Sequence, residues 1–180
     1  GVVILAKRPA IARQLQKAME KQQAEKLYLA ILRGEMAEPI HVNAPLGRDT
    51  QSLVHVRQAV RQDGIGKSAE TLFTPIRSAK GYTFARVQIL TGRKHQIRAH
   101  AHHVGHMVAG DKIYGPDDLL YLDFIDDGWT PRHEELLELK RQALHAAMIA
   151  FEHPTSAEKL KFEQEIPLDM KELMFYLDDI

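Results

Sequence analysis

Apolar and polar positions along this chain change their spacing several times, and each change marks a predicted element. Residues 2–6 (Val-Val-Ile-Leu-Ala) form a continuous apolar run, the pattern of a buried strand. Pro9 suits a first helical turn. Ile11, Leu15, Ala18 and Met19 then recur at helical spacing, with Lys and Gln elsewhere, which predicts an amphipathic helix. Residues 26–32 read as a strand that puts Leu27, Leu29 and Ile31 on one face and Tyr28 on the other. Residues 39–49, rich in Pro, Gly and Asn, read as a loop. Residues 53–57 alternate, with His55 and Arg57 opposite Val54 and Val56. Two further strands, 69–76 and 82–90, flank Lys80-Gly81, a candidate hairpin turn. Residues 94–104 predict a short helix ending at Gly105. An acidic, aromatic-bearing insert spans 117–131. A helix over 133–142, a strand over 144–151 and an amphipathic helix over 168–177 complete the pattern.

Strands and helices mix here without strict alternation. That favours an α+β fold, with a mixed, mainly antiparallel central sheet and flanking helices, over a doubly wound one. At 180 residues the chain fits one domain with a sizeable core. It has no cysteine, so no disulfide framework and no thiolate chemistry, which suits a reducing, cytoplasmic setting. No apolar run approaches a membrane span, and residues 2–6 are too short for a signal-peptide core. The formal net charge is zero, but the two parts of the chain differ. Residues 1–116 hold 18 Lys+Arg against 8 Asp+Glu, and residues 117–180 hold 6 against 16. This asymmetry can steer an anionic partner to one face, although solvated charge on ordinary helices gives the same count.

Chemistry concentrates in residues 90–115, where a Gly turn, two arginines, a lysine and five histidines precede a Gly-Asp turn and a Tyr-Gly pair. Such density beside an apolar strand suits a polyanion site better than a core. Arg93, Lys94 and His95 stand at a helix start, where backbone amides favour phosphate; the plain alternative is a solvated helix start. Arg98, one turn on, can point back into a cleft and hold a carboxylate with its fork, or else be a surface arginine. His102 and His106 have the spacing of a helical metal pair, but Gly105 interrupts the helix and Asp111 is the one nearby carboxylate. A metal site is therefore not expected. Gly110-Asp111 reads as a structural turn, and Tyr28 by itself as core packing.

Three motifs also resemble a family. Thr-Gly-Arg-x-His-Gln-Ile-Arg-x-His followed by Gly-His-x-x-x-Gly-Asp-x-x-Tyr-Gly resembles the third motif of RluA-type pseudouridine synthases. Lys26-Leu27-Tyr28-Leu29-Ala30 resembles their second, Lys-x-Tyr-x-Ala. Leu144-His145-Ala146 with Phe151-Glu152-His153-Pro154 resembles their C-terminal signature. The resemblance implies the pseudouridine synthase fold and an RNA partner, ribosomal or transfer RNA, with no metal or organic cofactor. Arg98 would pair the catalytic aspartate. Tyr28 would stack on the target base. Lys26, Arg93, Lys94 and His95 would contact RNA, while His145 and His153 would be structural.

The opening Gly1-Val2-Val3-Ile4-Leu5-Ala6-Lys7 resembles the tail of the family's first motif, which puts the aspartate five positions before Gly1. Asp49, Asp63 and Asp111 stand in the wrong contexts to replace it. Residues 1–180 are then expected to be the C-terminal portion of a catalytic domain. By itself such a portion would be inactive, with a cut edge that favours self-association. The rival readings are a non-catalytic RNA-binding piece and a histidine-rich metal enzyme.

Overall fold

The computed structural model describes residues 1–21 and 23–178. Its strands are β1 (Glu25–Arg33), β2 (Ile40–Asn43), β3 (Leu46–Arg48), β4 (Gln58–Val60), β5 (Glu70–Ala79), β6 (Tyr82–Ile89), β7 (Leu144–Glu152) and β8 (Lys159–Glu163). Its helices are α1 (Pro9–Glu20), α2 (Gln96–His103), α3 (Leu119–Asp127), α4 (Pro131–Leu136) and α5 (Leu168–Asp178). Six strands form the central sheet in the order β2-β5-β6-β1-β7-β8, with each neighbouring pair antiparallel; β3 and β4 make a separate two-stranded ribbon. This is the α+β arrangement expected.

β1 is central because its second half cannot face water. Ala30, Ile31 and Leu32 are all fully buried, and successive strand residues point to opposite faces, so both faces of the sheet are covered here. The β5–β6 hairpin closes through Lys80 and Gly81, at φ 51° and 80°. Two positive φ values are what a type I′ turn needs to match strand twist. α1 starts at Pro9, and Ile11, Leu15, Ala18 and Met19 are its half-buried stripe, as their spacing predicts. α2 joins two apolar clusters. Ile97 and Ala101 face the main core with Phe73, Phe84 and Val87, while Ala99 faces a smaller one with Leu46, Val54 and Tyr114. Among the described residues no helix is long and apolar enough to cross a membrane.

Four local expectations are corrected. Residues 2–6 are not a buried strand: they take no regular structure, and Val3 and Leu5 are 78% and 85% exposed. The edges of β7 are mostly taken, by β1 on one side and by β8 on the other, and the run is held by the bond from Val2 N–H to the Ala146 carbonyl at 2.9 Å. Residues 39–49 are not all loop, because β2 and β3 form there. Residues 53–57 turn instead of running straight. Ser52 Oγ accepts the Val54 N–H and the Arg57 N–H returns to the Val54 carbonyl, so Val54 and Arg57 both point inward. The helix expected over 133–142 stops at Leu136. The following residues wrap the Gly110 turn, with Glu138 accepting the Gly110 N–H at 2.9 Å.

Candidate active site

α2 begins after a turn that one side chain locks. Gln96, buried, accepts bonds from the Thr91 hydroxyl at 2.7 Å and the Arg93 N–H at 2.9 Å. Its amide donates to the Glu70 carbonyl and to Thr71 Oγ1, both at 2.9 Å. Thr71 in turn donates to Nδ1 of buried His100, whose Nε2–H meets the Ala44 carbonyl at 2.9 Å. Burial holds the His100 imidazole below its ordinary pKa, which agrees with a neutral ring in this chain of bonds. The Gln and second His of the third motif are therefore braces that fix the helix against β5.

The helix stripe left over carries the polar groups of the candidate site. His95, Arg98 and His102 stand three and four residues apart, so they share one face. Arg98 meets Asp111 through two parallel bonds, Nε to Oδ2 at 2.5 Å and Nη2 to Oδ1 at 2.6 Å. Asp111 is fully buried, and the same Oδ1 accepts the backbone N–H groups of Ile113 and Tyr114 at 2.9 and 3.1 Å. Its neighbours keep this turn tight. A Cβ on Gly110, at φ 70°, would lie 2.3 Å from the Arg141 carbonyl oxygen, and one on Gly115 would lie 2.2 Å from that of Asp111. The Gly-Asp-x-x-Tyr-Gly motif is thus a socket for a carboxylate that grips Arg98. A guanidinium has five N–H donors, and Asp111 takes one edge. Nη1 forms no hydrogen bond among the described residues, so Arg98 can accept a second carboxylate end-on.

Tyr114 is the hub beside that pair. It is nearly fully buried, and its oxygen accepts the Gln58 N–H at 2.8 Å while its hydroxyl meets His95 Nδ1 at 3.2 Å. Burial pushes the phenol up to about 12. Burial first, then Arg98 and Lys94, pushes the His95 imidazole down to about 4. At neutral pH the tyrosine is therefore the donor and the histidine the acceptor. The guanidinium carbons of Arg98 and Arg57 stand 5.0 and 5.2 Å from the centre of the Tyr114 ring, within cation–π range.

The strand side looks different. Lys26 and Tyr28 share one face of β1 and are half-buried. Neither side chain forms a hydrogen bond or ion pair among the described residues. Burial lowers the Lys26 ammonium and raises the Tyr28 phenol from their ordinary values. Tyr28 packs against the main core at the rim, and its register partner on β7 is Ala146, at the position where β7 bulges. The bond from Val2 to that same Ala146 brings the start of the chain beside Tyr28.

Among the residues singled out from sequence, the structure groups His95 with Arg98 and leaves Lys94 exposed. Arg93 is also exposed, with Nε on the Ser68 carbonyl at 2.9 Å. No hydrogen bond or ring contact joins Tyr28 to Arg98 among the described residues. His106 and His145 are held to backbone carbonyls of Arg33 and Gln164 at 3.0 and 2.9 Å, and no cluster able to hold a metal ion occurs among the described residues. Sequence reasoning missed Tyr114 and Arg57 as site residues and saw Asp111 only as a turn. The motif contained Tyr114 and Asp111; nothing in the sequence singles out Arg57.

Comparison with known proteins decides the family. The sequence profile of the RNA pseudouridylate synthase family matches residues 1–103. A protein of Chloroflexus aurantiacus named as an uncharacterized RNA pseudouridine synthase is 31% identical over 179 residues, which is 99% of this chain and 50% of that protein. The ribosomal large subunit pseudouridine synthase D of Vibrio cholerae is 32% identical over 178 residues, covering 98% and 52%. The chain belongs to the RNA pseudouridine synthase family. It spans about half the length of the curated relatives it matches. The solved structure of human RNA pseudouridylate synthase domain containing 4 shares the fold, with a TM-score of 0.71 at 21% identity over 99% of this chain and 71% of that one. Tyr28 and Arg98 fall inside the part of the chain that the profile matches; Asp111 and Tyr114 lie just past it.

Proposed function

We propose that the protein to which these residues belong converts uridine to pseudouridine in a structured RNA, ribosomal or transfer, in the cytoplasm and without metal or organic cofactor. The observation that carries this reading is the Arg98–Asp111 pair. It holds one guanidinium edge rigidly and leaves the Nη1 end open for a second carboxylate. That second carboxylate is the nucleophilic aspartate, which the resemblance puts five positions ahead of Gly1. The start of the chain runs beside Tyr28, and five extended residues reach up to about 17 Å, so the aspartate starts from the Tyr28 side.

In this scheme the uracil leaves C1′ through N1, turns, and rejoins C1′ through C5; C5 then loses its proton to solvent, the step that the tritium assay reads, and N1 gains one. The aspartate supplies the covalent step, Arg98 orients it, and Tyr28 stacks on the flipped base. Lys26, Arg93, Lys94 and His95 are assigned to RNA contact on the strength of the resemblance and of their cationic or ring chemistry. The test is tritium release from C5-labelled uridine RNA with chelator present. Release that stops with chelator and returns with zinc would refute this reading. Residues 1–180 by themselves are expected to release no tritium, and to self-associate through the exposed run containing Val3 and Leu5 in a sedimentation experiment.

A further inference from the structure

Arg57 is an unusual residue to find at the end of a surface loop. It closes the β3–β4 connection, yet it is only 6% exposed. Its guanidinium meets Asp118 Oδ1 and, at 3.1 Å, His102 Nε2. Asp49 Oδ2 lies 3.3 Å from its Nε but out of line, so that buried N–H has no hydrogen-bond partner among the described residues. A buried charge with a donor unsatisfied is costly, and an apolar side chain would fill the same space at lower cost. Packing alone therefore does not account for this arginine. Its position does, because Arg57 and Arg98 face the same tyrosine ring.

We propose that Arg57 is a positioning residue for Arg98, acting through the Tyr114 ring, and that it makes loop 49–57 part of the frame that aims the Arg98 guanidinium. Asp111 fixes one edge of Arg98 but leaves it free to rock about that edge. The Tyr114 ring limits the rocking. The ring is itself limited at its hydroxyl by Gln58 N–H and His95, and at its face by Arg57. Asp49 ties the arrangement back into the loop by accepting the N–H groups of Gln51 and Ser52 at 3.0 and 3.2 Å. Asp118 anchors Arg57 to the start of α3. Without the Arg57 fork the ring can tilt, and the open end of Arg98 loses its aim. A misplacement of about 1 Å at a reacting centre costs on the order of a hundredfold in rate.

The catalytic arm of the test rests on the pseudouridine reading; the structural arm does not. In the complete protein, hydrogen exchange of the Arg98 Nε–H is followed by NMR, with the Ala30 amide reporting global opening. Arg57→Lys and Tyr114→Leu should each speed Arg98 exchange about tenfold relative to Ala30, each variant's own change at Ala30 being divided out, and on that scale the double variant should be no faster than either. Tyr114→Phe keeps the ring and should stay within about twofold of the parent. Unchanged Arg98 exchange in Arg57→Lys, or additive effects in the double variant, overturns the proposal. In the complete enzyme, Arg57→Lys should slow single-turnover pseudouridine formation about 10–100-fold, with RNA affinity within about threefold. A parent enzyme that makes no pseudouridine defeats the functional reading and leaves the exchange result to decide the role of Arg57.

Discussion

The Arg98 side of the site and the Tyr28 side are built on opposite terms. Around Arg98 the side chains are paired: Asp111 with two bonds, Tyr114 with Gln58 and His95, Gln96 with four partners. Around Tyr28 and Lys26 burial goes uncompensated, and it shifts both groups toward their neutral forms. A closed network suits a group that must hold a charge in one orientation, because preorganised dipoles need not rearrange during reaction. An open, half-desolvated surface suits a partner that arrives and leaves. The difference sets a preformed charge against a surface with room for a partner, the division that the proposed reaction needs.

The sharpest way to break this comparison is to remove the preformed charge. In the complete enzyme, Arg98→Ala should lower turnover at least about a thousandfold while RNA affinity changes only a few-fold, since one cationic contact among many is lost. Lost affinity with normal turnover of bound RNA would make Arg98 a phosphate clamp. Tyr28→Phe keeps the stacking ring and should cost far less than Arg98→Ala in the same assay.

Stability separates the two sides next. Asp111→Ala strands the Arg98 guanidinium and two backbone N–H groups in a buried site, and should cost about 3–5 kcal/mol by urea denaturation. Lys26→Met, on the open side, breaks no bond and should stay within about 1 kcal/mol of the parent. Equal losses at both positions would erase the distinction.

Acid should then weaken the closed side alone. The fold holds His95 near 4, against an ordinary 6.5, so the unfolded chain binds the proton that the native state refuses. Stability is complete above pH 6.5, falls as pH drops through the window to about 4, and levels off below it. His100 and His102 are lowered as well and act in the same direction. The His95 share is about 1–2 kcal/mol after allowing for its partial exposure. Denaturation of His95→Gln at pH 7 and pH 5 should show a flatter pH dependence than the parent. On the open side, burial raises the Tyr28 phenol further above this range.

Much of this arrangement was legible in the sequence where local spacing and local burial agree. The half-buried stripe of α1, the Lys80-Gly81 turn and the α2 helix all followed from period and turn chemistry. Residues 2–6 did not, because an apolar run predicts burial only if a sheet edge is free to receive it, and β7 offers little. Residues 53–57 alternated yet turned, because Asp49 and Ser52 side chains gave the backbone local partners. The motif pointed to Arg98, but its partner could not be read: the resemblance called for an upstream aspartate, and the structure shows Asp111 already gripping one edge. Arg57 was invisible because its contacts reach residues 45 and 61 positions away. Long-range pairing leaves no period to read.

The smallest effect belongs to Lys94, and it tests where the comparison ends. Lys94 is exposed and unpaired among the described residues, next to His95, which turns inward. If the helix start contacts phosphate, Lys94 is one screened cation among several, and its loss is a matter of counterions rather than geometry. Lys94→Ala in the complete enzyme should weaken RNA binding about two- to fivefold near physiological salt and reduce the salt slope of log K by about 1. Single-turnover rates at saturating RNA should not change. An unchanged salt slope would place the RNA backbone elsewhere and leave the helix start as ordinary solvated surface. A lowered rate with an unchanged slope would instead mean that Lys94 acts on the Arg98 side, and that the closed network extends one residue further than its bonds indicate.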